Sequence, residues 1–310
     1  MPKDFLRRRE NMSAASHQIL VIFIALAAGF VCRKLKVITE EGTSTLSGIV
    51  VKVILPFYLF NAIASSDAGV DASGVGIAIG LSAAMFAVCG LVALIFVPLI
   101  KAPKDDRGVY MFELLCANVT YIGIPVCDAI FGGDAAFYAS LLNIPYNLIC
   151  FSLGIFLLCG KATIKTAFNP AFISGVLGSI FFVFKIPLPS VVADACKFIG
   201  QATSPCAMLV VGSVLGSVAI KDIFGQWRVI PYTLVRLFAL SAVILLLTKP
   251  LSIDPTLRGV LVVMAGMPAA TNSTMLCSIY GGNRDLSAKL IFISTALSII
   301  SIPLWAAYFA

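Results

Sequence analysis

Two Gly-X-Pro tripeptides lie inside long apolar stretches, at Gly123-Ile124-Pro125 and at Gly266-Met267-Pro268. Each is followed by polar residues and then by a similar pentapeptide, Ile130-Phe131-Gly132-Gly133-Asp134 in the first half and Ile279-Tyr280-Gly281-Gly282-Asn283 in the second. Proline removes a backbone donor and clashes with the preceding helical turn. Unpaired backbone at membrane depth persists only where protein or a water-filled cavity covers it. Helices interrupted at matching places in two halves of a chain indicate a binding site for a transported solute.

The chemistry that such breaks offer is the binding of an anion. A broken helix exposes backbone N–H groups at the start of its second half, and that end carries a partial positive charge. Each terminus stabilises an anion by about 0.3–1 kcal/mol when exposed and by up to about 2 kcal/mol when partly buried. Asn118, Thr271 and Asn272 add side-chain donors close to the breaks. The same side chains could instead satisfy the backbone beside each proline, and both interpretations stay open.

Four ionisable residues fall inside predicted spans, where charge is costly and indicates function. Asp128 lies three residues after Pro125 and is a candidate proton-coupling group, unless the helix ends early and Asp128 faces water. Lys52 is a candidate for attracting the anion. We expect Glu113 and Arg236, which lie near the ends of predicted spans, to extend to the membrane interface.

The elements that must position these residues are membrane-spanning helices. The 310-residue chain is 60% hydrophobic and 12% charged, which is too apolar for a soluble domain. A spanning helix needs about 20 mostly apolar residues. Ten segments qualify, at 16–34, 43–64, 74–100, 108–131, 136–159, 170–185, 190–219, 228–248, 257–280 and 287–309. Continuous apolar runs exclude a membrane β-barrel, and too little chain remains for an attached catalytic domain.

The chain divides into two halves with five predicted spans each, and an odd number of crossings inverts the second half. Pro56 and Pro205 are 149 residues apart, close to the 143 residues between Pro125 and Pro268. The predicted organisation is a tail at 1–15, a first repeat at 16–160, a cytoplasmic linker at 161–169 and a second repeat at 170–310. The sequence therefore predicts an all-α membrane protein of ten helices in two inverted five-helix repeats, with helices four and nine broken at proline.

The net charge of +7 reflects the loops rather than a nucleic-acid partner. In the first half, Lys and Arg follow the odd-numbered spans, whereas the loops after spans two and four contain only Asp among the charged residues. The positive-inside rule then places both chain termini outside the cell. Four basic residues before the first span disagree with this orientation, and translation starting at Met12 would remove them.

The composition argues against an enzyme. One histidine and nine scattered cysteines without a CxxC pair provide no metal cluster. A membrane enzyme would need a nucleophile with a base, or paired acids, and neither is evident. We therefore expect no catalytic residue, cofactor or metal. A channel or sensor stays open as an alternative, although paired breaks favour alternating access over a pore.

The sequence resembles the auxin efflux carrier family, which includes plant PIN-FORMED carriers and bacterial carriers associated with malonate and other small organic acids. The resemblance runs over the chain from Met12 and is carried by Leu55-Pro56-Phe57, by Asn118-Val119-Thr120-Tyr121-Ile122-Gly123-Ile124-Pro125, by Asn169-Pro170 and by Met267-Pro268-Ala269-Ala270-Thr271-Asn272. The short central loop is typical of bacterial members, which implies an inner-membrane location.

The resemblance implies a fold related to that of bile-acid sodium symporters, with helices four and nine crossing near the midplane. Helices 1, 2, 6 and 7 would form a scaffold that often dimerises. Helices 3–5 and 8–10 would form a transport domain that moves as an elevator. Asn118 and the backbone at Gly123-Ile124-Pro125 and at Pro268 would contact the carboxylate of the substrate.

The predicted function is secondary transport of a small carboxylate. A potential of 100 mV is worth about 2.3 kcal/mol per charge and drives a monoanion outward. Export therefore needs no coupling ion, whereas accumulation would need protons or, as an alternative, sodium. Asn143, Tyr146 and Asn147 in the fifth span are further candidates for lining the cavity.

Overall fold

The computed structural model describes residues 20–66, 69–160, 168–217, 227–271, 273–280 and 282–309. Within these ranges the chain is helical, and its only β-type pairing is an isolated bridge. We number the helices α1 (20–34), α2 (Glu40–Ala64), α3 (Ala72–Leu99), α4 (Arg107–Leu115), α5 (Val119–Phe131), α6 (Ala135–Leu158), α7 (Pro170–Val183), α8 (Ser190–Ser217), α9 (Val229–Thr248), α10 (Pro255–Ala265), α11 (Ser273–Tyr280) and α12 (Arg284–Phe309).

Six helices are long and apolar enough to cross a membrane, namely α2, α3, α6, α8, α9 and α12. Helices α5, α7 and α10 are shorter apolar helices. The side chain of Asn169 begins α7, because its Oδ1 accepts a hydrogen bond of 3.0 Å from the backbone N–H of Phe172. The predicted tail 1–15 and residues 161–167 of the predicted linker lie outside the described residues.

The short helices α4 and α5 follow one another in the chain with a non-helical stretch between them. The short helices α10 and α11 are arranged in the same way. The stretch between α4 and α5 meets the stretch between α10 and α11, where Ala117 and Ala269 form an antiparallel bridge. The backbone N–H of Asn118 donates to the carbonyl of Pro268 at 2.8 Å. The two discontinuous helices therefore contact each other through the backbone at their breaks, and we call this place the crossing.

The break in the first half precedes Pro125 by several residues, so the prediction that this helix breaks at its proline is wrong. The helix runs without interruption from Val119 to Phe131, through Pro125. Its first five residues, up to Gly123, form a π-helical turn in which the N–H of Ile124 donates to the carbonyl of Val119. This wider turn accommodates the proline ring without ending the helix.

Pro56 follows the same pattern. It comes two residues after the π-helical turn Val50–Ile54, and α2 continues past it. By contrast, the break at Pro268 is confirmed, because residues 266–271 separate α10 from α11 and are not helical. Proline alone therefore does not decide where these helices end, since Pro98, Pro145 and Pro303 also lie inside helices.

The helices can be sorted by their contacts into two groups, although α5 also packs against α8 across them. Helix α2 packs along α7 and α8, and α1 approaches α8 so closely that a Cβ on Gly212 would lie 2.0 Å from the carbonyl oxygen of Leu26. Small residues permit such close contact between membrane helices. In the other group, α3 packs on α4, α5 on α6, α9 on α10 and α11 on α12. Helix α6 also contacts α2 and α7, so it forms much of the boundary between the groups.

Candidate functional site

Asn118 lies at the crossing and is 4% exposed. Its Oδ1 caps α5 by accepting a hydrogen bond of 3.2 Å from the backbone N–H of Tyr121. Its Nδ2 points across the crossing to Oγ1 of Thr271, at the long distance of 3.5 Å. One end of the amide thus satisfies the broken backbone, while the other end has only a weak partner and can donate to a ligand.

Arg236 on α9 satisfies the opposite helix ends at the crossing. Its Nε donates to the carbonyl of Met267 at 2.8 Å and its Nη1 to that of Leu114 at 2.5 Å, and its Nη2 donates to that of Ala265. These carbonyls belong to the last turn of α4 and to the end of α10, where a helix leaves acceptors unpaired and carries partial negative charge. The guanidinium therefore stabilises the carboxyl-terminal ends of both interrupted helices.

The expectation that Glu113 and Arg236 extend to the membrane interface is wrong. Arg236 is 1% exposed and Glu113 is fully buried. Oε1 of Glu113 lies within hydrogen-bond distance of the hydroxyls of Ser273 and Ser287, the latter at 2.8 Å. Ser273 is the first residue of α11, so the carboxyl group lies at a helix end that favours negative charge. Because the break precedes Pro125, both residues lie beside internal helix ends rather than near a span end.

A cleft partly open to its surroundings lies beside the crossing. Three predicted ligand residues line it together, namely Asn118, Asn147 and Thr271. The full lining is Val51 and Leu55 from α2, Asn118, Thr120 and Tyr121 near the start of α5, Tyr146, Asn147 and Phe151 from α6, Ala171 from α7, and Ala270 and Thr271 from the second break. These side chains include amide, hydroxyl and aromatic groups and no charge.

A chain of buried amides fixes the α6 wall of this cleft. The hydroxyl of Thr120 donates to Oδ1 of Asn143 at 2.8 Å, and Nδ2 of Asn147 donates to the carbonyl of Asn143 at 2.7 Å. Nδ2 of Asn169, at the start of α7, donates to Oδ1 of Asn147 at 3.0 Å. Across the cleft from α6, the hydroxyls of Tyr121 and of Ser47 on α2 lie 3.0 Å apart. Polar contacts thus connect both helix groups at this place.

The other predicted ligand residues lie elsewhere. Gly123, Ile124 and Pro125 are buried within α5 and do not line the cleft. Pro268 reaches the crossing through its backbone carbonyl, which accepts from Asn118. Asn272 lies outside the described residues.

The two predicted coupling residues also lie away from the cleft lining. Lys52 is exposed on the π-helical turn of α2, and Asp128 is exposed on α5. Within the described part of the chain, no three His, Cys, Asp or Glu residues come together as a metal site would require. Glu113 and Arg236 are residues of the crossing that were not predicted from the sequence. Their position inside apolar segments was the signal that could have identified them.

Comparison with known proteins supports the interpretation of this geometry. A family model described as membrane transport protein matches the chain twice, over residues 14–163 and 157–306. An uncharacterized transporter of Methanocaldococcus jannaschii is 26% identical over 302 residues, which cover 93% of this chain and 96% of the relative. Another uncharacterized transporter, from Methanothermobacter thermautotrophicus, is 25% identical over 94% of this chain and 97% of its own length.

A third relative is similar over a shorter stretch. A Rhizobium meliloti protein with the name "Putative malonate transporter" is 28% identical over 142 residues, which cover 44% of this chain and 43% of that protein. The two matches to the family model together extend over nearly the whole sequence. The chain is therefore a multi-pass membrane transporter, not an enzyme, and it belongs to the membrane transport protein family, the auxin efflux carrier family that its crossing residues resemble.

Proposed function

We propose that this transporter carries small organic anions with carboxylate groups, and that the cleft at the crossing is its substrate site. The observation that carries the proposal is the position of Asn118, whose weakly partnered Nδ2 faces Thr271 at the meeting point of two interrupted helices. Both residues line the cleft. A carboxylate there can accept from side-chain amide and hydroxyl groups and interact with the positive end of α5. No Arg or Lys holds the anion, so it can be released again.

The proposed architecture has ten membrane crossings in two inverted repeats. Counting α4–α5 and α10–α11 as one crossing each, the twelve described helices give ten. The double match to one family model fits a chain built from two related halves. The proposed location is a bacterial inner membrane, with both chain termini on the outer side. The proposed assembly is a homodimer.

The proposed mechanism is an elevator. Helices α1, α2, α7 and α8 would form the scaffold, and the remaining helices, with both breaks, would carry the substrate. The cleft supports this division, because α2 and α7 supply one wall while the crossing and α6 supply the other. A sliding movement of one group along the other would then expose the same site on either side of the membrane.

The proposed direction is export. A monoanion leaves a cell with a 100 mV potential at an advantage of about 2.3 kcal/mol, so that no coupling ion is required. Import would need proton coupling, or sodium coupling as the second candidate mechanism. The polar groups of the cleft could bind mono- and dicarboxylates. Malonate is included as a candidate because one relative has the name "Putative malonate transporter".

Counterflow in proteoliposomes tests the proposal. Vesicles with purified protein are loaded with one unlabelled acid and diluted into the same labelled acid, across a panel of mono- and dicarboxylates that includes malonate. We expect transient accumulation of at least one acid, because exchange through a single site requires no net driving force. Protein-free vesicles serve as the control. If folded protein exchanges no acid on the panel, the anion-carrier proposal is wrong and a channel or sensor becomes the better candidate.

A further inference from the structure

The most unusual buried group outside the cleft is the carboxyl group of Glu113. The residue is fully buried, and its Oε2 has no hydrogen-bond partner. The two salt bridges among the described residues both involve Glu40, so Glu113 has no ion pair there. A buried carboxylate that lacks an ion pair is costly in free energy unless it takes up a proton.

The contacts around Glu113 require more hydrogen atoms than the neighbouring hydroxyls supply. Oγ of Ser273 contacts Oε1 of Glu113, and it lies 2.7 Å from both the carbonyl oxygen of Ala270 and Oγ of Ser287. Oγ of Ser287 also lies 2.8 Å from Oε1. These are four close oxygen–oxygen contacts, while two hydroxyls provide two donor hydrogens. A proton on Glu113 supplies a third hydrogen, and one hydrogen shared between two acceptors is then enough for the fourth contact.

None of the described groups that face Glu113 is a second carboxyl group or forms an ion pair with it. Arg236 provides the nearby positive charge, but its nitrogens bind three backbone carbonyls. The other facing titratable groups are neutral thiols and phenols, namely Cys116 from the first break, Tyr146 from α6, Tyr232 from α9 and Cys277 from α11.

The Glu113 cluster lies directly behind the cleft. Ser273 bonds the carbonyl of Ala270, and Ala270 and Thr271 line the cleft. A negative charge on Glu113 would repel a carboxylate in the cleft, and protonation removes that repulsion. On the basis of the proposed function, we infer that Glu113 is a proton-binding site that is loaded when an anion occupies the cleft. The proton adds to the carboxylate to form the neutral acid and leaves with the substrate. A monoanion would then cross without net charge, so this inference selects the proton-coupled alternative over export driven by the potential.

Transport assays with Glu113→Gln and with Asp128→Asn as the matched control test this inference. In wild type we expect exchange of a transported acid to slow by at least about tenfold between acidic and alkaline pH, and an inward proton gradient to drive accumulation. Glu113→Gln should lose both the pH dependence and the driven accumulation, because glutamine cannot release a proton. Asp128→Asn should keep both. Driven accumulation that persists in Glu113→Gln, or that requires a sodium gradient instead, would overturn the inference.

Infrared spectroscopy gives a readout that does not depend on transport. Purified protein is titrated in deuterated buffer while the carbonyl stretch of protonated carboxyl groups is followed. We expect a titrating band that is present in wild type and in Asp128→Asn and absent from Glu113→Gln. A band that persists in Glu113→Gln contradicts the inference whatever the exchange assay finds. A missing band in Glu113→Gln together with no exchange by wild type would leave the proton site intact and refute the carrier proposal alone.

Discussion

Replacing Arg236 with methionine is expected to lower the free energy of unfolding by roughly 3–5 kcal/mol. The guanidinium donates to the carbonyls of Leu114, Ala265 and Met267, and each buried acceptor left without a donor costs about 1–3 kcal/mol. Removing a buried charge from its partners has effects of about this size. Because these carbonyls end both interrupted helices, the crossing itself should loosen.

Two further variants show whether this effect is specific to the geometry of Arg236. Arg236→Lys keeps the charge but not the planar fork of donors, so we expect it to recover only part of the lost stability. Arg228→Met, just before α9, removes a half-buried arginine whose Nε donates to the carbonyl of Ile100 at 3.0 Å and whose guanidinium lies over the ring of Trp227. This variant should cost about 1 kcal/mol. Stability is measured as the temperature at which the purified protein ceases to be monodisperse. Equal losses in Arg236→Met and Arg228→Met would contradict the assignment.

Asn118→Asp is expected to exchange carboxylates at least about tenfold more slowly than wild type, a loss of about 1.4 kcal/mol. Asparagine and aspartate cap helices equally well, so the contact with the N–H of Tyr121 survives. The substitution removes the Nδ2 donor that faces Thr271 and adds a negative charge beside the cleft. Repulsion between like charges then opposes anion binding.

Asn118→Ala serves as the comparison for Asn118→Asp. It removes both the cap and the donor, so we expect a loss of about 1 kcal/mol in stability together with slower exchange. Counterflow rates are compared per amount of folded protein, and melting temperatures are measured in parallel. Exchange at the wild-type rate in Asn118→Asp would show that Asn118 only satisfies the backbone, which the sequence analysis left open.

The sequence predicted the helical class and one of the two breaks for sound physical reasons. Long apolar runs require helices in a bilayer, since every backbone group must find a partner within the chain. The Gly266-Met267-Pro268 tripeptide does interrupt its helix. Asn118 was identified as a polar side chain close to a break, and it lies in the cleft with Asn147 and Thr271.

The other break was misplaced because proline was treated as sufficient to end a helix. The π-helical turn before Pro125 depends on the packing of neighbouring residues, which a sequence pattern does not reveal. The true break, at residues 116–118, contains neither glycine nor proline and is held by backbone contacts to the second half of the chain. A helix break that depends on tertiary contacts leaves little trace in the local sequence.

Because the break was placed at Pro125, Glu113 and Arg236 were not recognised as residues of the crossing. With the break at Pro125, Glu113 appeared to lie near the end of a span, where extension to the interface is the ordinary expectation. Moving the break to residues 116–118 places Glu113 next to it. An interrupted helix inside a membrane needs donors for its last carbonyls, and Arg236 is the buried side chain that supplies them.

A carboxylate bound in the cleft between the two helix groups should protect a cysteine on the cleft wall from chemical labelling. Val51 is half-buried on the α2 wall of the cleft, and Val37, in the connection before α2, is 72% exposed. A membrane-impermeant thiol reagent labels Val51→Cys and Val37→Cys, and the labelling rates are measured with and without a transported acid. The rate measured for wild type is subtracted to correct for the native cysteines. We expect the acid to slow the labelling of Val51→Cys and to leave the labelling of Val37→Cys unchanged. Labelling of Val51→Cys at the same rate with every transported acid would contradict it.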